Sequence, residues 1–296
     1  MPLLIAGRLT PPNIGLLSAA RDLGVEARLL PPEMAERRAR PNEMILGRVD
    51  VLSSLDGVET GLDSLRRLED AGFRVLNRAD AVLAAHDKLV TADRLFRAGL
   101  PHPITVHVPP GGHLPDVPLP VVLKPRFGSW GEDVVRCDTR HELRRAFARL
   151  ARRHWFSEHG MLIQELLPPP GSDLRVLVAG REVVGAISRH AAPGEWRTNV
   201  ALGGTRHRAV PRTEARELAV AAADAIGADL VGVDLLPTRA GYVVLELNGC
   251  VDFNDDYSLP GGEVFEDAVE PLVFPYVAEL AQHLRRPHED ELPVLN

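Results

Sequence analysis

Cysteine is scarce in this sequence: only Cys137 and Cys250 occur among its 296 residues. Their spacing is not that of a metal site, and two cysteines form no framework of paired disulfides. This scarcity argues against a disulfide-stapled secreted scaffold and fits a reducing compartment. We therefore expect a cytoplasmic protein.

Long apolar runs and an excess of basic charge are also missing. No stretch is long and apolar enough to span a bilayer, and the first seven residues lack the basic start and apolar core of a signal peptide. Lys and Arg total 34 against 41 Asp and Glu, a net charge of −7. Because general nucleic-acid binding needs a basic face, we expect a globular protein that binds neither nucleic acid nor membrane. A local basic pocket for a phosphate stays compatible with this charge.

Short apolar runs alternate with amphipathic segments in the first 85 residues. The pattern predicts strands at residues 3–6, 25–30, 49–53 and 73–76, and helices at residues 13–23 and 62–71. Alternating strands and helices favour an open, mainly parallel α/β sheet. We expect this N-terminal lobe to occupy residues 1–85.

The rest of the chain has a different pattern. Up to residue 158 we predict helices at residues 87–98 and 139–153, a loop at residues 109–120 and a strand at residues 121–124. Beyond it we predict strands at residues 161–167, 173–178, 182–188, 230–236 and 242–248, and a helix at residues 213–226. Neighbouring hairpins imply an antiparallel sheet. We therefore expect a mixed α/β (α+β) fold with a central lobe at residues 86–158 and a C-terminal lobe at residues 159–296, whose acidic tail from about Pro287 frays.

Two consecutive strands of the last region predict a hard-oxygen metal site. Glu246 and Asn248 are two residues apart, so on a strand they point to the same face, and Asp234 in the preceding strand can lie opposite them. Two carboxylates and an amide oxygen suit Mg²⁺. The alternative, a hairpin with polar residues on its wet face, stays open on these residues alone. Burial of unpaired carboxylates among the aliphatic residues of both strands would be costly, which favours a cation.

Two lysines are candidates for phosphate binding. Lys124 ends an apolar strand before a loop with Gly128 and Gly131, whose backbone N–H groups can cradle phosphates. The G-x-x-x-x-G-K-[S/T] order of a Walker-type loop is absent. Lys88 opens a helix, where a lysine is slightly unfavourable without a bound anion. Each lysine, taken alone, is also compatible with a solvated surface position.

Three arginines fall within the antiparallel region, at Arg175, Arg189 and Arg197. Guanidinium groups suit bidentate contacts to phosphate or carboxylate. Arg197 lies two residues before Asn199 and a second flexible, glycine-containing loop. Pairing with a neighbouring carboxylate is the alternative for Arg175.

The order and spacing of these motifs resemble the ATP-grasp superfamily, and within it the RimK-type branch. The resemblance runs from about Asp87 to Asn248. It is carried by Asp87-Lys88-Leu, the strand and loop at residues 124–131, Ile163-Gln-Glu165, Gly171-Ser-Asp173-Leu-Arg175-Val, Arg189-His-Ala-Ala-Pro-Gly-Glu-Trp-Arg197-Thr-Asn199, Gly232-Val-Asp234 and Glu246-Leu-Asn248.

The resemblance implies an ATP-grasp architecture, in which ATP is clamped between antiparallel sheets of the central and C-terminal lobes. It implies that Lys88 and Lys124 contact the nucleotide phosphates. Glu165 and Leu166 would read adenine through backbone groups, and Asp173 would meet the ribose.

The resemblance also implies a reaction. A carboxylate attacks ATP to form an acyl phosphate, an amine displaces the phosphate, and ADP and phosphate leave as products. Arg197 and Asn199 would face the γ-phosphate and the acyl phosphate, and with Lys124 they are the implied catalytic residues, since cations must neutralise the gathered oxygens. The implied ligands of Mg²⁺, with Mn²⁺ as an alternative ion, are Asp234, Glu246 and Asn248.

We therefore expect an ATP- and Mg²⁺-dependent carboxylate–amine ligase without a protein nucleophile. The expected partners are ATP, a carboxylate and an amine, with a glutamate-like amino acid, a peptide or a carrier-protein tail as candidates; homo-oligomerisation stays open. Two alternatives stay open: a biotin-carboxylase-like or purine-pathway ATP-grasp enzyme, which is still an enzyme but makes another product, and a catalytically degenerate ATP-binding partner or scaffold. Retention of both lysines and all three metal-type residues argues against the scaffold.

Some residues depart from the family pattern or lie outside it. Residues 252–257 are acidic where many RimK-like ligases carry small residues and proline, and they loosely resemble ligases that act on amino-group-carrier proteins in lysine or arginine biosynthesis. They are expected on the acceptor side, either binding an amine or forming a solvated loop. Asn13 is interpreted as a helix N-cap, with an acceptor contact as the alternative. Arg48 is a candidate for a substrate carboxylate, and Cys250 for a small buried residue.

Overall fold

The computed structural model describes residues 1–285. The tail from about Pro287, expected to fray, lies outside the described residues. Three β-sheets are present in the described chain, one parallel and two antiparallel. The mixed α/β fold class is therefore confirmed.

The N-terminal lobe is a four-stranded parallel sheet in the order β2-β1-β3-β4. One face packs on α1, and the opposite face packs on α2, α3 and α4. In chain order the elements are β1 Leu3–Gly7, α1 Pro11–Asp22, β2 Ala27–Leu30, α2 Pro32–Arg38, β3 Met44–Arg48, α3 Gly61–Asp70, β4 Arg74–Leu76 and α4 Ala79–His86.

The strand predicted at residues 49–53 is wrong. The strand lies earlier, at Met44–Arg48, and the following residues leave the sheet in a turn closed by an isolated bridge between Val51 and Val58. Val49 and Val51 are nevertheless buried. Burial of valines outside the sheet therefore gave the false strand signal.

The central lobe is an antiparallel sheet in the order β5-β8-β6-β7. Thr139 is the N-cap of α6 and forms a capping box with Glu142, which fixes the start of that helix. The strand β8 lies beyond residue 158 but pairs with β5 and β6, so hydrogen bonding assigns it to the central sheet. In chain order the elements are α5 Lys88–Arg97, β5 Thr105–Val108, β6 Val121–Pro125, β7 Val135–Cys137, α6 Arg140–Leu150, α7 His154–His159 and β8 Met161–Glu165.

The C-terminal lobe is a five-stranded antiparallel sheet in the order β11-β10-β9-β12-β13, which confirms the predicted hairpins. The helix predicted at residues 213–226 has those bounds. The last helix was not predicted, because Pro271 and Pro275 interrupt its apolar pattern; its first turns pack against the N-terminal lobe. In chain order the elements are β9 Ser172–Ala179, β10 Glu182–His190, β11 Thr205–Arg208, α8 Thr213–Ile226, β12 Leu230–Thr238, β13 Gly241–Asn248 and α9 Val264–Arg285.

Side chains alternate between the two faces of each antiparallel sheet, so one face packs in the core and the other faces a cleft between the sheets. On β6 and β8, Leu123 and Ile163 enter the core under α6, so Val122, Lys124 and Gln164 take the opposite face. On β12, Val233 and Leu235 pack toward α8, so Asp234 points the other way. The polar faces of both sheets thus meet across one opening.

Candidate active site

A cleft lies between the central and C-terminal sheets, and its empty space, open solvent included, is about 1040 Å³. Nine of the ten site residues predicted from the sequence line it: Lys88, Lys124, Glu165, Leu166, Asp173, Arg197, Asn199, Asp234 and Glu246. The tenth, Asn248, lies two residues beyond Glu246 on β13.

Lys124 is the buried cation of the central sheet, 8 % exposed. Its Nζ donates to Oε1 of Gln164 at 2.8 Å, which is its one hydrogen bond within the described residues. Burial lowers the pKa of Lys124 to about 8. The nearby carboxylate of Glu246 acts to raise this pKa, and the ammonium of Lys88 acts to lower it. The ammonium is therefore still mostly protonated at neutral pH, with N–H groups left for an anion.

Lys88 joins the two sheets across the cleft. Its Nζ donates to the carbonyl oxygen of Gly128 at 2.5 Å and lies 3.1 Å from Oε1 of Glu246. Asp87 caps the same helix and binds Arg126 bidentately, at 2.7 and 2.5 Å. The loop that contains Gly128 and Gly131 (the glycine loop), the start of α5 and β13 are thus held at one point. These acceptors offset the unfavourable position of a lysine at the helix N-terminus.

A buried network of four charges underlies the C-terminal wall. Arg175 binds Asp234 bidentately, at 2.6 and 2.8 Å, and Arg189 Nη2 reaches the same carboxylate at 2.8 Å. Arg189 also binds both oxygens of Asp173, which accepts from Thr198 as well. Burial alone would raise the pKa of Asp234, but the two arginines lower it to about 2. Arg175 therefore pairs with a carboxylate, the alternative left open above.

The network changes the expectation for Asp173. It lines the cleft as expected, but both of its oxygens are engaged by Arg189 and Thr198. In this structure Asp173 holds Arg189, and the ribose contact stays a prediction.

Arg197 lies in the loop between β10 and β11 and binds this loop to the glycine loop. Its Nη1 donates to the carbonyl oxygen of Gly131 at 2.9 Å, while Glu195 holds the other side of the guanidinium. A Cβ atom at Gly131 would lie 3.1 Å from Oδ1 of Asn199. The hydrogen bond from Arg197 lowers the pKa of Glu195 to about 2. Arg197 and Asn199 therefore lie together at the cleft, as expected.

The predicted metal residues share one face of the sheet. Asp234 lies opposite Glu246 in the register of β12 and β13, and Asn248 lies two residues further along. The Nδ2 atom of Asn248 is buried without a hydrogen-bond partner among the described residues. Such an amide can turn its oxygen toward a cation, and with Glu246 it supplies hard oxygen donors that fit Mg²⁺. Asp234 fits less freely, because arginines take three of its roughly four lone-pair positions.

Three or more His, Cys, Asp or Glu side chains do not converge as a metal site anywhere in residues 1–285. The assignment of the metal remains a proposal.

The opposite end of the cleft is mainly apolar. Val122, Leu166, Leu236 and Leu245 line it, together with Glu165. The N–H groups of Glu165 and Leu166 are already donated to Ile104 and Pro120. A base placed here would therefore meet the remaining acceptors and apolar side chains of this strand.

Two expectations for the N-terminal lobe are wrong. Asn13 is not an N-cap: Thr10 holds the N-cap position of α1, without a side-chain cap hydrogen bond, and Asn13 Oδ1 accepts from Nε of Arg48 at 2.9 Å. Arg48 is buried, and its remaining nitrogens donate to the carbonyl oxygens of Gly249 and Val251. The guanidinium thus fastens the turn after β13 to the N-terminal lobe, which leaves it no room for a substrate carboxylate.

Residues 249–257 form the wall next to that turn. Burial raises the pKa of the Cys250 thiol to about 11, so it is protonated at neutral pH and unsuited as a nucleophile. In the acidic stretch, Asp256 binds Arg206 at 3.1 Å, while Asp252 and Asp255 are exposed. Only these two carboxylates are therefore unengaged candidates for an amine.

One group of the site was missed from the sequence: Gln164 holds Lys124. Arg189 was a candidate for a contact to phosphate or carboxylate, and it binds the carboxylates of Asp173 and Asp234. Strand alternation was the available signal for Gln164, since the apolar residue Ile163 beside it points to the core.

Comparison with known proteins agrees with this geometry. Residues 113–257 match the RimK-like ATP-grasp domain. Tetrahydromethanopterin:alpha-L-glutamate ligase of Methanosarcina acetivorans is 31% identical to this chain, over 91% of the chain and 94% of that protein. The chain belongs to the RimK-like ATP-grasp family.

Two further similarities extend the comparison. The glutamate–LysW ligase ArgX of Sulfurisphaera tokodaii is 31% identical over 72% of this chain and 78% of that protein. The crystal structure of a RimK domain ATP-grasp protein from Sphaerobacter thermophilus aligns with a TM-score of 0.66 at 21% identity, covering 92% of this chain and all of that one. The last similarity concerns the fold alone.

Membership in the RimK-like ATP-grasp family makes the chain an ATP-dependent carboxylate–amine ligase that binds ATP, a carboxylate and an amine. Within the described part of the chain, no helix is both long and apolar enough to cross a bilayer.

Proposed function

We propose that this RimK-like ligase forms an amide bond through an acyl phosphate, with the ATP phosphates lying between Lys88, Lys124 and Glu246. The single observation that carries this proposal is the 3.1 Å contact between Lys88 Nζ and Glu246 Oε1. It brings a phosphate-binding cation and a metal-type carboxylate from opposite sheets to one point. A terminal phosphate placed there is within reach of both.

The residues divide the work by charge. Lys88 and Lys124 bind phosphate oxygens, and Arg197 with Asn199 faces the γ-phosphate as it becomes the acyl phosphate. Arg189 is held by Asp173 and Asp234 through Nε and Nη2, so within the described residues its Nη1 is left to donate to the same region. Glu246 and Asn248 would hold Mg²⁺, with Asp234 sharing its last lone pair. The ion, when bound, neutralises and orients the phosphate oxygens.

Glutamate is our proposed amino-acid substrate. The names of both relatives contain it, although their second substrates differ: tetrahydromethanopterin in one and LysW in the other. The second substrate of this chain is accordingly proposed to be a peptide or carrier-protein tail, or a small molecule with a free carboxylate. The exposed Asp252 and Asp255 would face the incoming amine.

ADP release measured over pooled candidates tests the proposal. We expect release to require Mg²⁺, glutamate and one second substrate together, with an amide product seen by mass spectrometry. Lys124→Met should abolish it, while Arg181→Met at an exposed pair with Asp224 should leave it unchanged. ADP release that is independent of any carboxylate or amine would reject the ligase assignment for this cleft.

A further inference from the structure

Behind Lys124 lies a chain of polar side chains that the proposed reaction does not use. Nε2 of Gln164 lies 2.9 Å from Oγ1 of Thr105 and 3.3 Å from Nε2 of His102. Nδ1 of His102 lies 2.7 Å from the carbonyl oxygen of Val244. The chain thus runs from the lysine of the central sheet to β13 of the other sheet.

The contacts set the direction of donation for Lys124, Gln164 and His102. The ammonium of Lys124 only donates, so Gln164 must turn its oxygen toward it and its NH₂ toward His102 and Thr105. The carbonyl of Val244 only accepts, so His102 carries its proton on Nδ1 and offers Nε2 as an acceptor. Thr105 Oγ1 lies 2.9 Å from the carbonyl oxygen of Pro103 and 3.4 Å from Nε2 of His102, so the hydroxyl donates to one of these two acceptors and its lone pairs accept from Gln164.

The protonation state of His102 agrees with this arrangement. Burial, with Lys124 close by, lowers the pKa of His102 to about 4. The imidazole is therefore neutral at physiological pH, and its Nε2 lone pair is available to Gln164.

His102 also sits where the lobes are joined. It follows α5 and precedes β5, and the neighbouring Pro101 accepts from the backbone N–H of Val244 at 2.9 Å. The segment at residues 101–102 therefore pairs with the edge of the C-terminal sheet while its side chain orients a residue of the central sheet. The position of Lys124 is tied in this way to the relative placement of both walls of the cleft.

We propose that His102 and Gln164 are positioning residues that fix the direction in which Lys124 presents its ammonium to the ATP phosphates. This inference rests on the proposed function of the cleft. Without the amide of Gln164, the lysine keeps its charge but loses its fixed direction. The loss should weaken phosphate binding and spare the base end of the site.

The test compares the dissociation constants of ATP and adenosine. Gln164→Met keeps the length of the side chain and removes both polar contacts. We expect about tenfold weaker ATP binding, the equivalent of one charge-assisted hydrogen bond, and less than about twofold change for adenosine. His102→Phe should weaken ATP binding in the same selective way, and it carries the test if Gln164→Met fails to fold.

A double-mutant cycle separates positioning from a general structural effect. In a Lys124→Met background, Gln164→Met should cause no further loss of ATP affinity. The matched control is His107→Asn on β5, where the imidazole contacts the carbonyl oxygen of His159 and not Gln164; ATP affinity should not change.

Two results would overturn the inference: equal losses for ATP and adenosine, or full additivity of Gln164→Met with Lys124→Met. Unchanged ATP affinity in Lys124→Met alone would instead reject the phosphate role of this lysine, and with it the proposed function. The two failures are therefore distinguishable.

Discussion

The Nη2 atom of Arg189 lies 2.8 Å from Oδ2 of Asp234, in a network where two arginines and two aspartates are buried together. The four charges balance, and each of the four carboxylate oxygens is hydrogen-bonded. A buried pair of this kind stabilises mainly because removing one member leaves the others unpaired. Asp234 is therefore a structural residue as well as a candidate metal ligand.

Asp234→Ala is expected to lower the free energy of unfolding by roughly 3–5 kcal/mol, because Arg175 and Arg189 lose their shared acceptor. Urea unfolding followed by circular dichroism measures the change. Asp224→Ala, in the exposed pair with Arg181, is the matched control and should cost less than about 1 kcal/mol. A loss for Asp234→Ala no larger than the control would show that the network does not stabilise the fold.

Glu246→Ala separates the metal role from stability. Its side chain is 31% exposed and pairs with Lys88, so truncation should lower the free energy of unfolding by less than Asp234→Ala, which takes the shared acceptor from two arginines. ADP release at limiting Mg²⁺ should nevertheless be lost, since one of the hard oxygen donors is gone. Normal release at limiting Mg²⁺ in a folded variant would reject the metal assignment.

Stability should depend on pH through Asp234. Its pKa is about 2 in the folded protein, below the value of roughly 3.9 expected for an unfolded chain. Its contribution is therefore fully present above about pH 4 and is lost as pH falls toward 2, because the unfolded state then binds the extra proton. In this window the free energy of unfolding of the wild type should fall more steeply with decreasing pH than that of Asp234→Asn. The difference in slope should correspond to about one proton. Equal slopes would contradict the lowered pKa.

The contact of the two loops predicts the effect of a methyl group at Gly131. This glycine has a φ of 75°, and an added Cβ would press on Asn199 and Leu202. Gly131→Ala is expected to weaken ATP binding about tenfold by displacing Asn199 and Arg197, at a cost of roughly 1–2 kcal/mol. Gly111→Ala is the matched control, with a φ of 70° and open space around the new methyl; it should lose similar stability and keep its ATP affinity. Equal ATP affinities for the two variants would dismiss the loop contact.

The sequence allowed prediction of features that depend on local pattern. The same-face placement of Glu246 and Asn248 follows from the two-residue period of a strand, and the bounds of α8 follow from its apolar spacing and the glycine after it. The resemblance, through the order of the motifs along the chain, identified nine residues that line one cleft.

The remaining features depend on contacts between distant parts of the chain. Arg48 binds the carbonyl oxygens of Gly249 and Val251, about two hundred residues away, and no local pattern indicates that pairing. His102 lies in a proline-rich connection that reads as an ordinary loop, yet it links both sheets. Val49 and Val51 were wrongly predicted as part of a strand, because they are apolar and buried although they do not pair in the sheet.

Transfer of labelled oxygen tests the acyl-phosphate ligase most directly. When a carboxylate attacks the γ-phosphate of ATP and an amine then displaces the phosphate, one carboxylate oxygen departs with that phosphate. A second substrate labelled with heavy oxygen in its carboxylate should therefore yield labelled inorganic phosphate together with ADP and an amide. Formation of AMP and pyrophosphate, or of unlabelled phosphate alongside the amide, would contradict the mechanism assigned to this cleft.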